Sequence, residues 1–216
     1  MNMSLREFVL PLLTSMDNYN YLLKSHHRRV AVIAYAIGQQ MKLSNEQLND
    51  LVIAAAIHDI GALNIQDRDH ILEVDISDPK PHSEMGYEIL RGFDLFNNIA
   101  TILRHHHIFY YDQYLYNDEV PIQSYIIHVA DRIEVYISRD EPILDQKEYI
   151  RSEVKDRSGD LFHPEVCGAF ELISRFSEFW LSINNMSLDQ LFLNLDYGTN
   201  KLITTTLITD FSKVVI

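Results

Sequence analysis

The sequence predicts an all-α protein, a bundle of amphipathic helices, and three observations carry that expectation. In HHRRVAVIAYAIGQQM, residues 26–41, Val30, Ile33, Ala34, Ile37 and Met41 recur at helical steps and share one stripe. Ser44, with Gln47 three residues later, has the form of a capping box ahead of a second apolar segment. IQSYIIHVADRIEVYISR, residues 122–139, is long and strongly apolar, as an interior helix must be.

The remaining elements follow in order. Residues 45–59 carry Leu48, Leu51, Val52 and Ala55 and form a central helix, with Gly61 placed to stop it. Asp75, Ser77, Asp78, Pro79 and Pro81 make 64–81 a loop with room for a short helical turn. Residues 82–91 and 95–107 are the next helices, and a polar, aromatic insert over 109–121 ends at Pro121. Beyond Pro142, residues 145–157 and 164–183 give two more helices, with Pro164 suited to a first turn. The last stretch, LFLNLDYGTNKLITTTLITDF, turns to Leu, Ile, Thr and Tyr. It fits a short β-hairpin or one extra helix. The expected division is a helical domain over 1–183 and a C-terminal extension over 184–216. The chain stops inside apolar KVVI, so the extension is expected to lead into a further domain of a longer protein.

Composition narrows the function. The 216 residues are 47% hydrophobic and 23% charged, which is globular. A net charge of −13 repels phosphate polymers and argues against a DNA or RNA binder. A small phosphorylated ligand stays open, because a bound metal reverses the local field. No apolar run reaches the roughly 18 residues of a membrane span, and the N-terminus lacks the form of a secretory signal. Cys167 is the only cysteine, so no internal disulfide forms and a cytoplasmic location is expected.

Ten histidines are the compositional clue. His26 begins one helix and His82 opens another; His58 and Asp59 close the central helix; His106 and His107 end a third; Asp131 sits in a nearly apolar helix. Each alone has a plain explanation. A lone histidine on an apolar face is more often a hydrogen-bonded core residue than a ligand, and a His doublet is as readily a solvated helix end. Asp131 alone could cap a helix or pair with Arg132 or Arg29. Jointly, five imidazoles and two carboxylates bordering apolar faces are expensive to bury unless a cation collects them. Imidazole and carboxylate without thiolate argue against a structural zinc site. Seven ligands suit two ions with one bridging carboxylate.

The ordered set H-x-x-R-V (His26, Arg29, Val30), HDIG (58–61), H-x-x-x-G (His82, Gly86), HH (106–107) and VAD (129–131) resembles the HD-domain superfamily of metal-dependent phosphohydrolases. Within it the chain is most similar to the HD-GYP branch, over roughly residues 20–180, with GYEILRGF, ILRHHH, VPIQSYIIHVAD and GDLFHPEVCGAF as supporting text. The resemblance implies an HD-domain helical bundle. His26, His58, Asp59 and Asp131 would hold one metal, and Asp59 would bridge to a second held by His82, His106 and His107. It implies two transition-metal ions, Fe or Mn first, with Zn, Ni or Mg as alternatives. A water between them would attack a phosphodiester, notably a cyclic dinucleotide such as cyclic di-GMP, with His58 and Asp59 at the catalytic centre. The branch often forms a homodimer.

The chain also departs from that pattern. Ala62 replaces the lysine that follows HDIG in the branch, which removes a cation where phosphoryl charge develops. Lys80 is a substitute in sequence terms. IFYYDQYLYNDEVP, residues 108–121, replaces the glycine-rich GYP loop. Leu22 stands where three-metal members have glutamate, so two metals are the expected ceiling. Tyr110, Tyr111, Tyr114 and Tyr116 could stack on a base, but packing on the domain is the better expectation. Arg29 suits orienting a ligand carboxylate; Arg104 could do the same or bind phosphate. Two alternatives accompany the phosphodiesterase reading: a degenerate regulatory module that keeps metal with little turnover, and a phosphatase for nucleotide monophosphates.

Overall fold

Helix α2, His26–Gln40, is the axis of the molecule because nearly its whole circumference is apolar enough to bury. The predicted stripe is wider than expected: Ala31, Val32 and Tyr35 join Val30, Ile33, Ala34 and Ile37 in the core. Each fully buried Ile contributes about 1.5–3 kcal/mol. The structure, a computed structural model, describes residues 2–19, 25–64, 80–115, 119–193, 202–204, 209 and 211.

Around α2 stand α1 (Leu5–Tyr19), α3 (Asn45–Ala56), α4 (Lys80–Leu90), α5 (Asn97–Arg104) and α6 (Ile122–Tyr136). They are followed by α7 (Lys147–Asp156), α8 (Pro164–Ile173), α9 (Ser177–Asn185) and α10 (Leu188–Leu193). Helix α2 packs most extensively on α3 and α6, while α4 packs on α5. The predicted capping box is present: Gln47 N donates to Ser44 Oγ at 3.2 Å, and Ser44 N donates to Gln47 Oε1 at 3.0 Å. Gly38 lets α2 and α3 approach closely, since a Cβ there would meet Leu48 and Leu51 at 2.8 Å.

Four expectations change. Helix α3 stops at Ala56 rather than at residue 59, because Ile57 (φ −128°) leaves helical space and a 3₁₀ turn, Ile60–Asn64, follows. Helix α5 ends at Arg104 rather than at 107. The expected helix 164–183 is two helices, broken where Phe176 is extended. The break frees the Ser174 carbonyl to accept from buried Trp180 Nε1 at 2.8 Å. At the C-terminus, the strand Leu202–Thr204 pairs antiparallel with Asn2–Ser4, in the register Met3 to Ile203. Among the described residues it has no neighbouring hairpin partner. Imperfect alternation leaves strand and helix both open in the sequence, and it does not choose a strand's mate.

Helix α1 is an addition: Pro11 interrupts its sequence pattern but lies inside the helix. Phe211 packs edge-on against Phe8 at 4.9 Å, so described residues from both ends meet. The greater part of the expected loop, 65–79, lies outside the described residues, as do Leu22 and Tyr116. Among the described residues no helix is long and apolar enough to cross a membrane.

Candidate metal centre

Two helices end in the same way, and both endings face the same point. Past the end of α3, His58 Nδ1 lies 2.9 Å from the Ala55 carbonyl; past the end of α5, His106 Nδ1 lies 2.5 Å from the Leu103 carbonyl. Only Nδ1–H can donate to a carbonyl, so the proton sits there and each Nε2 keeps its lone pair. A helix C-terminus has spare carbonyls and a partial negative charge, so the imidazoles fill the one and leave the other for a cation. The early helix ends therefore have a use, since continuation would have carried His58, Asp59, His106 and His107 round to other faces.

Their neighbours complete two groups. Ligand atoms of His26, His58 and Asp131 lie within 4.8 Å of one another, as do those of Asp59, His82, His106 and His107. His26 Nε2 is 3.3 Å from Asp131 Oδ1 and 3.4 Å from His58 Nε2. His82 Nε2 is 3.4 Å from His106 Nε2 and 2.9 Å from His107 Nε2. Asp59 stands between the groups: Oδ2 is 3.3 Å from His58 Nε2, and Oδ1 is 3.6 Å from His82 Nε2. All seven side chains singled out in the sequence come together. All are buried.

Several supports were not anticipated. Glu134 Oε2 accepts from His26 Nδ1 at 2.5 Å, which turns the free Nε2 of that ring inward. Its other oxygen, Oε1, accepts from Arg29, through Nε at 2.7 Å and also through Nη2. Arg29 thus acts through a carboxylate behind the histidine. Glu134 lies eight and five residues beyond two of the apolar anchors of α6, Ile126 and Val129, and nothing but its helix position marks it. Arg132 donates to Asp131 Oδ2 at 2.6 Å while Oδ1 stays turned to His26 and His58, so pairing with Arg132 and facing the cluster are compatible. Gly61 brings the HDIG turn against α4: a Cβ there would meet the His82 carbonyl at 2.1 Å and Gly86 N at 2.5 Å. Close approach, more than stopping a helix, is its role.

The other candidates divide. Lys80 opens α4, and its side chain lies outside the described ones. Arg104 makes a paired contact with Glu84 at 2.9 and 3.0 Å and lies over the Tyr87 ring. Ala62 is buried in the 3₁₀ turn, with its N–H on the Asp59 carbonyl. Tyr110 packs against His163, and its N–H donates to the Leu161 carbonyl. Tyr111 lies against Phe109, whereas Tyr114 is 75% exposed and does not pack as expected.

Burial sets the charges. It pushes His58 down to about 4, against the pull of Asp59 and Asp131. It pushes His106 down to about 3, helped by His82 and His58. His82 and His107 are lowered chiefly by burial as well. These rings are neutral at pH 7, the form that binds metal. Burial also lowers His26, but Glu134 and Asp131 outweigh it and hold the ring well above its ordinary value. Burial would raise Asp59 and Asp131; the histidines around Asp59, and Arg132 and His26 beside Asp131, keep both well below the usual carboxylate range.

The donor set fits divalent ions. Asp59 Oδ1 and Asp131 Oδ1 are buried and accept no hydrogen bond among the described residues. His26 Nε2 and His58 Nε2 face each other at 3.4 Å, a spacing at which one ion can take both once His26 gives up its proton. The HD domain family matches residues 23–136, more than half of the chain, from just before His26 to just past Asp131. The chain belongs to the HD domain family. It is 30% identical over 177 residues to the cyclic di-GMP phosphodiesterase of Thermotoga maritima, covering 75% of this chain and 48% of that protein. It is 28% identical over 121 residues to the cyclic di-GMP phosphodiesterase response regulator RpfG of Xanthomonas campestris pv. campestris, covering 51% and 32%. Both relatives agree with the HD-GYP branch. The chain spans about half the length of the first of these curated relatives and a third of the second. The crystal structure of a cyclic GMP-AMP specific phosphodiesterase from V. cholerae shares its fold, with a TM-score of 0.75 at 18% identity over all of this chain and 60% of that one.

Proposed function

We propose that this chain is a metal-dependent phosphodiesterase that opens a cyclic dinucleotide at a two-ion centre. The observation that carries the reading is the convergence of seven buried donors, from five segments of the chain, into two groups joined by Asp59. His26, His58, Asp59 and Asp131 would hold one ion, and Asp59, His82, His106 and His107 the other. Ions bound there would supply an activated water and a clamp on the phosphodiester oxygens. Fe or Mn is the expected metal, since imidazole with carboxylate suits both. The substrate class follows from the relatives, which are phosphodiesterases of cyclic dinucleotides by name.

The protein's own part is preorganisation. Backbone carbonyls fix the tautomers of His58 and His106, Glu134 turns His26, and Arg132 leaves one oxygen of Asp131 pointing inward. Arg132 is also a cation beside the cluster, as its effect on His82 and His128 indicates. In the absence of a lysine at Ala62 it would meet phosphoryl charge. A cytoplasmic location and a homodimer belong to the same reading; the first is supported by the lone, buried Cys167, the second by the branch resemblance.

The test is hydrolysis of cyclic di-GMP and cyclic GMP-AMP by Fe- or Mn-loaded protein, read as linear dinucleotide by chromatography. Turnover that disappears in Asp59→Asn supports the proposal. Stoichiometric metal without turnover on any cyclic dinucleotide would favour the second reading, a metal-holding regulatory module, which the buried Ala62 supports. Turnover confined to nucleotide monophosphates would favour a phosphatase.

A further inference from the structure

We infer that His27 is an eighth ligand of this centre, completing the first ion's sphere together with His26, His58, Asp59 and Asp131. The inference rests on the two-ion reading above. His27 lies outside the seven-residue pattern that the HD motifs define, and the sequence alone gives it no role. It is 1% exposed. Its Nε2 is 3.3 Å from Asp59 Oδ2, the same distance that separates His58 Nε2 from that oxygen. His27, His58 and Asp59 form a third trio whose ligand atoms lie within 4.8 Å of one another.

The spacing is that of ligands around an ion. Two donor atoms each about 2.0–2.2 Å from one metal, at angles between octahedral and tetrahedral, stand roughly 3.0–3.5 Å apart. His27 to Asp59, His58 to Asp59, His26 to His58 and His26 to Asp131 measure 3.3, 3.3, 3.4 and 3.3 Å; His58 to Asp131 and His26 to Asp59 are wider, 3.8 and 3.9 Å, within the roughly 4.2 Å that separates ligands on opposite sides of an ion. Consecutive helix residues point about 100° apart, so two neighbours seldom serve one centre. Here α2 is buried on nearly all sides, and both rings are enclosed, 81° apart in plane and 5.1 Å between centroids. The HDIG turn reaches the helix where Asp59 Oδ2 can meet either imidazole: it is 3.9 Å from His26 Nε2 and 3.3 Å from His27 Nε2.

Two consequences follow. Three imidazoles and two carboxylates favour Fe, Ni or Zn over Mg at this position. With five protein ligands, an ion bound there would have little room left for water or a phosphate oxygen. The second group, with one carboxylate and three imidazoles, keeps more places open.

A crystal structure of the Mn-loaded chain, with anomalous scattering to locate the ions, tests this directly. The expected result is His27 Nε2 at bonding distance from the ion that His58 also binds. An ion held by His26, His58, Asp59 and Asp131 with His27 only hydrogen-bonded to Asp59 overturns the inference and leaves the two-ion reading standing. Absence of any bound ion overturns both. In solution, His27→Gln should still bind two ions, with the first-group Zn affinity lowered about 10-fold or more and the preference for Zn over Mg reduced. Unchanged affinity and preference in that variant would also sink it.

Discussion

The two halves of the centre are built on different principles. The first group is held by charge: Glu134 and Arg29 stand behind His26, and Arg132 stands behind Asp131. The second group is nearly all imidazole, with the Leu103 carbonyl behind His106. The titrations differ accordingly. His26 is held high by carboxylates, whereas His82, His106 and His107 are all driven low by burial and by one another. The first group comes with its own balance of charges; the second depends more on a cation.

The residue common to both should be the most sensitive. Asp59→Asn removes the shared charge and one of the two bridging oxygens. Both ions should be lost or weakened, and phosphodiesterase turnover should fall by about 10³-fold or more, against a loss of one ion for His106→Ala. Metal analysis of dialysed protein distinguishes them. If Asp59→Asn lost an ion from only one group, Asp59 would not be a bridge.

Next comes the charged support. Glu134→Gln leaves His26 without its carboxylate and Arg29 without its partner. First-group metal affinity should drop about 10–100-fold, with the second group unchanged, as read by calorimetric titration with Mn. Equal losses in both groups would show general loosening instead of a local role.

The sequence made the seven donors legible because helical offsets, not exact helix ends, place them. His26, His82 and Asp131 sit within helices, as expected. His58, Asp59, His106 and His107 sit just beyond helix ends, a difference of one turn that periodicity cannot see because Ile57 and His105 fit the apolar pattern as well as helical residues do. Glu134 and His27 were not legible as part of the site. Each is adjacent in function to a motif residue, but only tertiary packing of α2 against α6 and of the HDIG turn reveals what it touches. At 202–204 the sequence left a hairpin strand and a helix both open; the observed pairing with residues 2–4 is a long-range choice that no local pattern encodes.

The pH response of the metal-free protein separates the halves again. His58 and His106 have folded values of about 4 and 3, below the ordinary 6.5, so the unfolded chain binds more protons between those limits. Their contribution to stability is present above about pH 6.5 and lost as pH falls toward 4 and 3. His82, His107 and His128 act in the same direction. Glu134, lowered to about 2, loses its contribution only below its ordinary 4.5. His26 has the opposite sign: its contribution is full below 6.5 and fades as pH rises through its raised value. The lowered groups outnumber it, so the urea midpoint of chelator-treated protein should fall between pH 7.5 and 5.5. His106→Gln should flatten that fall, and His26→Gln should steepen it.

The smallest effect is expected outside both groups. Arg104 is a neighbour of His105 in sequence, but its guanidinium is engaged with Glu84 and the Tyr87 ring on the surface side of α4. Both members of the ion pair are more than a third exposed, so the pair contributes about 0–1 kcal/mol. Arg104→Ala should leave metal stoichiometry unchanged and shift stability by less than about 1 kcal/mol. It should also leave KM for a cyclic dinucleotide within about threefold, because an engaged, outward guanidinium has to break its pairing before it can serve phosphate. A KM raised tenfold or more with kcat intact would mean that Arg104 does leave Glu84 for the substrate, and the substrate surface would then extend over α4 beyond the two groups.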